Sequence, residues 1–248
     1  MNDGSLYQTK REYYIFRLFT SDVRRACQKK STHFDGINCR PCGECYDLRT
    51  DFMSAITLNP RYIPLIQKPK CCAAACLQMT LYRNGFGLHD QEDLAVRLGA
   101  KIGSDDVDAF RTDMPIMTRF NFDEGISTIN SCDKINALLK DKNIGLVFEA
   151  YTHSKIGDLF ALITEHIEND RDVWVEYHSH EIHSGKESAP RIHDALIESI
   201  DSQSHTAVLI DPKPTRKQRL TVDLDMLGRA MSSKFGKELG LLVAKKVS

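Results

Sequence analysis

The residues of this chain able to do chemistry together are a glutamine, a cysteine, a histidine and an aspartate, met in that order. Gln67 precedes a Pro-containing turn, a Cys71-Cys72 pair, an alanine-rich run with good helix formers over residues 73–84, and a closing Gly85. A thiol at the mouth of such a helix meets the positive end of the helix dipole and unpaired backbone N–H groups, which favour thiolate. A side-chain amide a few residues upstream is placed to help bind an oxyanion. A thiol nucleophile also needs a base, and the base needs a group that orients it. His193 opens one apolar run, and Asp211 closes the next.

These residues need elements to carry them. Residues 61–66 read as a short extended segment delivering Gln67. Residues 90–99 form a second amphipathic helix, capped by Asp90 and stopped by Gly99. Residues 100–131 read as a long loop with short elements, followed by a helix over 132–142, a strand over 144–151 and a helix over 155–169. Strands are expected at 172–177, 193–200, 206–210, 220–224 and 239–244, with a short helix at 225–231. Helices first and an antiparallel sheet second argue for an α+β fold of two facing lobes.

The two runs 193–200 and 206–210, joined by a polar turn at 201–204, make a hairpin. Pairing centred on that turn sets residues near 193 opposite residues near 211, with directly paired Cβ atoms about 5 Å apart. His193 can then take Asp211 as partner and turn its other nitrogen to the cysteine. His205 with Asp223 is the competing pair, but His205 sits beside the turn, where an exposed polar residue is expected anyway.

Gln67, the stretch Cys72-Ala-Ala-Ala-Cys-Leu-Gln-Met79, a later histidine opening a strand and Asp211-Pro212 closing the next resemble the papain-like bacteriocin-processing (double-glycine) peptidase superfamily. The resemblance runs in order over about residues 61–245, sharpest in the cysteine stretch and around Ile-Asp-Pro. It implies a papain-like α+β fold, with an N-terminal helical lobe carrying the nucleophile helix packed on a C-terminal antiparallel β-sheet. It implies Cys72 as nucleophile, since Cys71 falls one residue too early for Cys-x-x-Ala. Gln67 is then the oxyanion donor, His193 the base and Asp211 the orienting acid. Ala73 replaces the family's usual glycine, Gln67 sits one residue closer to the cysteine, and the insertion before His193 is longer. The expected activity is a thiol-dependent hydrolase, peptidase or amidase, working through a thioester and requiring no cofactor for catalysis. The same scaffold also serves acyl or peptidyl transferases and non-catalytic peptide-binding modules.

The remainder of the chain bounds these expectations. A net charge of −1 over 248 residues gives no field for nucleic acid or anionic membrane. No apolar run approaches the ~18 residues of a membrane span. The polar first residues lack a secretory pattern, so a reducing cytoplasmic setting is expected for the eight cysteines. Residues 1–60 read as an extension on a core domain of 61–248, docked through the aromatic run 13–19. Within the extension, Cys39, Cys42 and Cys45, with Cys27 or His33 as a fourth donor, have the makings of a zinc site; an iron–sulfur cluster is the alternative. His178, His180 and His183 lie in the insertion, read as a solvated loop beside the cleft or as further metal donors. The expected partner is a peptide or another amide-containing substrate; the oligomeric state has no signature.

Overall fold

The computed structural model describes residues 55–116, 126, 128–183, 191–232 and 239–247, and these belong to one compact unit. Cys27, His33, Cys39, Cys42, Cys45 and the aromatic run 13–19 lie outside the described residues, as do residues 184–190 of the insertion.

The frame is an antiparallel sheet of seven strands: β1 Ala55–Thr57, β2 Leu146–Thr152, β3 Asp172–His178, β4 Ile192–Asp201, β5 Thr206–Ile210, β6 Arg219–Asp223 and β7 Gly240–Lys246. Their order is β2-β7-β3-β4-β5-β6, with β1 pairing the far end of β4. The sheet therefore begins at Ala55, upstream of the boundary expected at 60, because the short β-compatible run Ala-Ile-Thr completes β4's exposed flank. Between β4 and β5 the ladder runs Leu196↔Ile210, Ile197↔Leu209 and then Ser199↔Val208, so β4 carries an extra residue, a β-bulge at Glu198.

The helices are α1 Cys72–Arg83, α2 Gln91–Leu98, α3 Cys132–Asp141, α4 Leu159–Glu168, the one-turn α5 Ser179–Ile182 and α6 Leu224–Met231. Their ends follow local chemistry. Asp90 caps α2, its Oδ1 accepting from Glu92 N (2.8 Å) and Asp93 N (3.2 Å). Gly99 leaves that helix at φ +83, a conformation costly for any residue with a Cβ. Asp158 and Asp223 cap α4 and α6 in the same way as Asp90. Helix α4 starts at Leu159 rather than the expected 155, because Asp158 supplies the cap and the preceding residues turn as a short 3-10 segment.

Strand alternation assigns the two faces. Asp172, Trp174 and Glu176 of β3 face α1: Trp174 Nε1 donates to Thr80 Oγ1 (2.8 Å), and Arg83 pairs with Asp172 (3.1 Å). Phe148 of β2 meets Trp174 edge-on from the same side, at 5.0 Å between ring centroids. The other face belongs to Val173, Val175 and Tyr177. Tyr151, in register with Leu241 and through it with Val175, packs there against His166 of α4. Helices thus cover both faces, which explains why β3 is buried along its whole length. The α+β architecture is as expected, with α4 and α6 added on the second face. Among the described residues, no helix is long and apolar enough to cross a membrane.

Candidate active site

Helix α1 is held at both ends, and its N-terminal end carries the thiol. At the C-terminal end, Asp172 accepts from Tyr62 Oη (2.5 Å), Arg83 Nη1 (3.1 Å) and Asn84 Nδ2 (2.6 Å). Burial raises the Asp172 carboxyl, with Arg83 working against the rise. Twelve residues upstream, about 17 Å along the helix axis, the chain enters α1 through a Lys68–Cys71 turn closed by Cys71 N donating to Lys68 O (3.1 Å). Lys70 takes φ +60 in that turn.

The two candidate thiols differ in access. Cys71 is fully buried, and burial pushes its thiol up to about 12 despite Lys68 nearby. Cys72 is half-buried, and its Sγ donates to Asp194 Oδ2 at 3.2 Å. Burial raises this thiol well above its ordinary range, and the Asp194 carboxylate adds to the rise. Backbone N–H groups of Asp194 and Ala73 pull the other way without reversing it. Cys76, a turn further on, is core.

Asp194 is itself enclosed. Thr128 Oγ1 donates to its Oδ1 (2.6 Å), and Thr128 N donates to Glu176 Oε1 (2.9 Å), the residue directly across the ladder. Burial raises the Asp194 carboxyl, while the hydrogen bonds from Thr128 and Cys72 restrain it.

His193 and Asp211 do meet: His193 Nε2 lies 2.7 Å from Asp211 Oδ1. Asp211 also accepts from Lys213 N (2.9 Å) and Arg216 Nη1 (3.0 Å), with His183 Nε2 at 3.7 Å. Burial would raise this carboxyl, but the nearby His183 imidazole and the hydrogen-bonded His193 outweigh it and hold Asp211 far below the usual carboxylate range. His193 stands edge-on to its ladder partner Tyr177 (5.7 Å), on the sheet face away from α1. The pair therefore occupies one face while Cys72 reaches the other, and the side chain that meets Sγ is Asp194, one residue along. The alternation of β4 separates what the linear order had placed together.

Gln67 is tied to the same end of the sheet by its backbone N–H donating to Pro212 O (2.9 Å). Its Nε2 makes only a 3.5 Å contact with Lys68 O, and its Oε1 is buried without a partner among the described residues. A groove of about 420 Å³, lined in part by Leu65, Ile66, Lys68 and Gln91, opens beside it. The alternative base His205 lies in the turn at φ +52, near Asp225 (3.4 Å) and stacked on Phe160, while Asp223 caps α6. That pair does not form. His178 and His180 face one another at 6.1 Å, yet no three His, Cys, Asp or Glu side chains among the described residues are grouped to hold a metal ion.

Asp194, Thr128, Glu176 and Arg216 were not singled out from sequence, and His183 was read as part of a solvated loop or as a metal donor rather than as a neighbour of Asp211. The one available signal was the His193-Asp194 dipeptide itself, which sets an imidazole and a carboxylate on opposite sides of one strand.

No protein-family model and no curated protein matches the chain. Solved structures similar to it include a candidate C39-like peptidase from Bacillus anthracis, with a TM-score of 0.49 and 14% identity, covering 78% of this chain and 98% of that one. Another is a double-glycine motif protease from an AMS/PCAT transporter in complex with the leader peptide. It has a TM-score of 0.40 and 14% identity, covering 77% of this chain and 98% of that one.

Proposed function

We propose that the chain is a thiol-dependent hydrolase of peptide or other amide bonds. Cys72 is the nucleophile, His193 carries the proton, Asp211 orients His193, and Gln67 with the Cys72 backbone N–H receives the oxyanion. The observation that carries this reading is the 2.7 Å His193–Asp211 bond, on the strand whose next residue touches the thiol at the head of α1. With Nε2 committed to an ionised carboxylate, the imidazole is held with Nδ1 as its remaining proton-transfer atom. Sulfur attacks the carbonyl carbon, the thiol proton passes through His193 to the departing amine, and a thioester results. Water resolves it in a hydrolase, and a second amine resolves it in a transferase. This chemistry requires Sγ to exchange Asp194 for His193.

A second reading, a non-catalytic module that captures a peptide, is favoured by one observation: Sγ bonds Asp194 while His193 looks to the other face. A panel of quenched-fluorescent peptides separates the two. Turnover that falls roughly 10³-fold or more in both Cys72→Ala and His193→Ala is the hydrolase result. Peptide binding without turnover, and without an acyl adduct in the intact mass after exposure to peptide thioesters, establishes the binding module.

A further inference from the structure

Thr128 donates one hydrogen bond to each of two buried carboxylates, and only one of these carboxylates touches sulfur. Its backbone N–H takes Glu176, its hydroxyl takes Asp194 Oδ1, and the free oxygen of Asp194 receives the Cys72 S–H. Asp194, Glu176 and Thr128 are all nearly inaccessible, so this chain of bonds is sheltered from solvent. The Thr128 hydroxyl donating to Oδ1 favours the ionised carboxylate, and an ionised carboxylate can only accept at Oδ2, which makes sulfur the donor. A thiol that donates is a thiol that keeps its proton.

We infer that Asp194 is a lock on Cys72: pinned by Thr128, it holds the sulfur as a protonated hydrogen-bond donor and sets the reactivity of this thiol in place of His193. The inference rests on the proposed hydrolase only for its effect on turnover. The groups acting on the sulfur come from every neighbouring element. Asp194 lies in β4, and Glu176 lies on the same face of β3. Buried Cys76 follows one turn along α1, and the His193–Asp211 pair lies beyond the sheet. Negative charge and burial dominate the sulfur's side of β4, and both oppose thiolate. This reverses the usual arrangement, in which a helix start and an imidazolium make a cysteine acidic. Asp194 is thus a positioning residue, and releasing Sγ from it is the step that arms the nucleophile.

Alkylation by iodoacetamide, mapped to the Cys72 peptide by mass spectrometry from about pH 5 to pH 10, tests the lock without any substrate. The wild-type midpoint is expected above the ~8.5 of a free thiol. Asp194→Asn keeps the shape, removes the charge and is expected to lower the midpoint by a unit or more, about tenfold in rate near neutral pH. His193→Gln is expected to leave the wild-type curve in place. Labelling that persists at pH 5 in the wild type and disappears in His193→Gln overturns the lock, as does an Asp194→Asn curve identical to wild type. Should Asp194→Asn fail to fold, the other two curves decide. A wild-type midpoint at or below the free-thiol value overturns the lock, and a raised one indifferent to His193→Gln sustains it. Turnover that depends on Cys72, together with acid-stable labelling that depends on His193, removes the lock and leaves the hydrolase standing. A raised midpoint without turnover does the reverse.

Discussion

Three buried carboxylates show how much the surroundings of a single residue decide. Asp194 is raised because burial outweighs two neutral donors; Asp211 is depressed because two imidazoles and the Lys213 backbone N–H outweigh burial. Glu92 belongs with Asp211. Burial pushes it up, but Lys68, Thr112 and the Arg111 backbone N–H donate to it and bring it down to about 2. A carboxyl depressed by folding stabilises the protein above its unfolded value and loses that contribution as pH falls through its folded value. For Glu92 the window runs from about 4.5 down to about 2. Glu92→Gln should therefore unfold at a lower temperature at neutral pH, by about 1–3 kcal/mol, and flatten the pH dependence of the melting temperature inside that window. Thermal melts at stepped pH check both; a slope as steep as in the wild type would remove Glu92 as its source.

At the scale of elements, α1 is a strut between two anchors, and the one remote from the thiol bears the larger load. Arg83 has a side chain almost wholly withdrawn from water and finds Asp172 inside the protein. Without Asp172, Arg83 keeps Asp170 but Tyr62 and Asn84 lose their acceptor, so Asp172→Ala should cost about 3 kcal/mol and lower the melting temperature by roughly 6–12 °C. The elements themselves were legible in sequence, because each rests on signals that neighbours in the chain carry: Asp90 and Gly99 bracket α2, Gly85 follows α1, and alternation marks 172–177. The His193–Asp211 approach was legible too, since a short hairpin turn fixes it. What α1 touches was not. Which face of β4 meets Cys72 depends on packing by Trp174, Thr80 and Thr128, residues tens of positions away, and no local pattern encodes it. Asp194 remained unremarked because a carboxylate in a strand reads as solvent-facing until a second layer covers it.

The whole molecule depends on close approach within its sheet. At Gly240, where β7 enters between β2 and β3, a Cβ would collide with the backbone carbonyl oxygen of Tyr151, which has no rotamer by which to yield. Gly240→Ala should cost about 1–3 kcal/mol in chemical denaturation. Gly228, inside α6, has only Leu159 Cδ2 at 3.7 Å, and alanine there should instead stabilise by about 0.5–1 kcal/mol. Equal effects at the two sites would show that backbone proximity is not what selects glycine at 240. The bulge at Glu198 stays local. Side chains of a strand take turns between two sides, and the bulge absorbs its surplus residue outside that alternation, so that Ile197 still pairs with Leu209 and Ser199 with Val208. His193 and Asp194 are spelled as neighbours and stand one frame apart. With the β5 pairing held, a chain shortened by Glu198 keeps Leu196↔Ile210 and Ile197↔Leu209 and leaves both side chains where they are, whereas one shortened by Ala195 would present the imidazole to Cys72 and withdraw the carboxylate. The identity of the thiol's neighbour is thus written as a count of residues, and insertion or deletion is the kind of mutation that edits it.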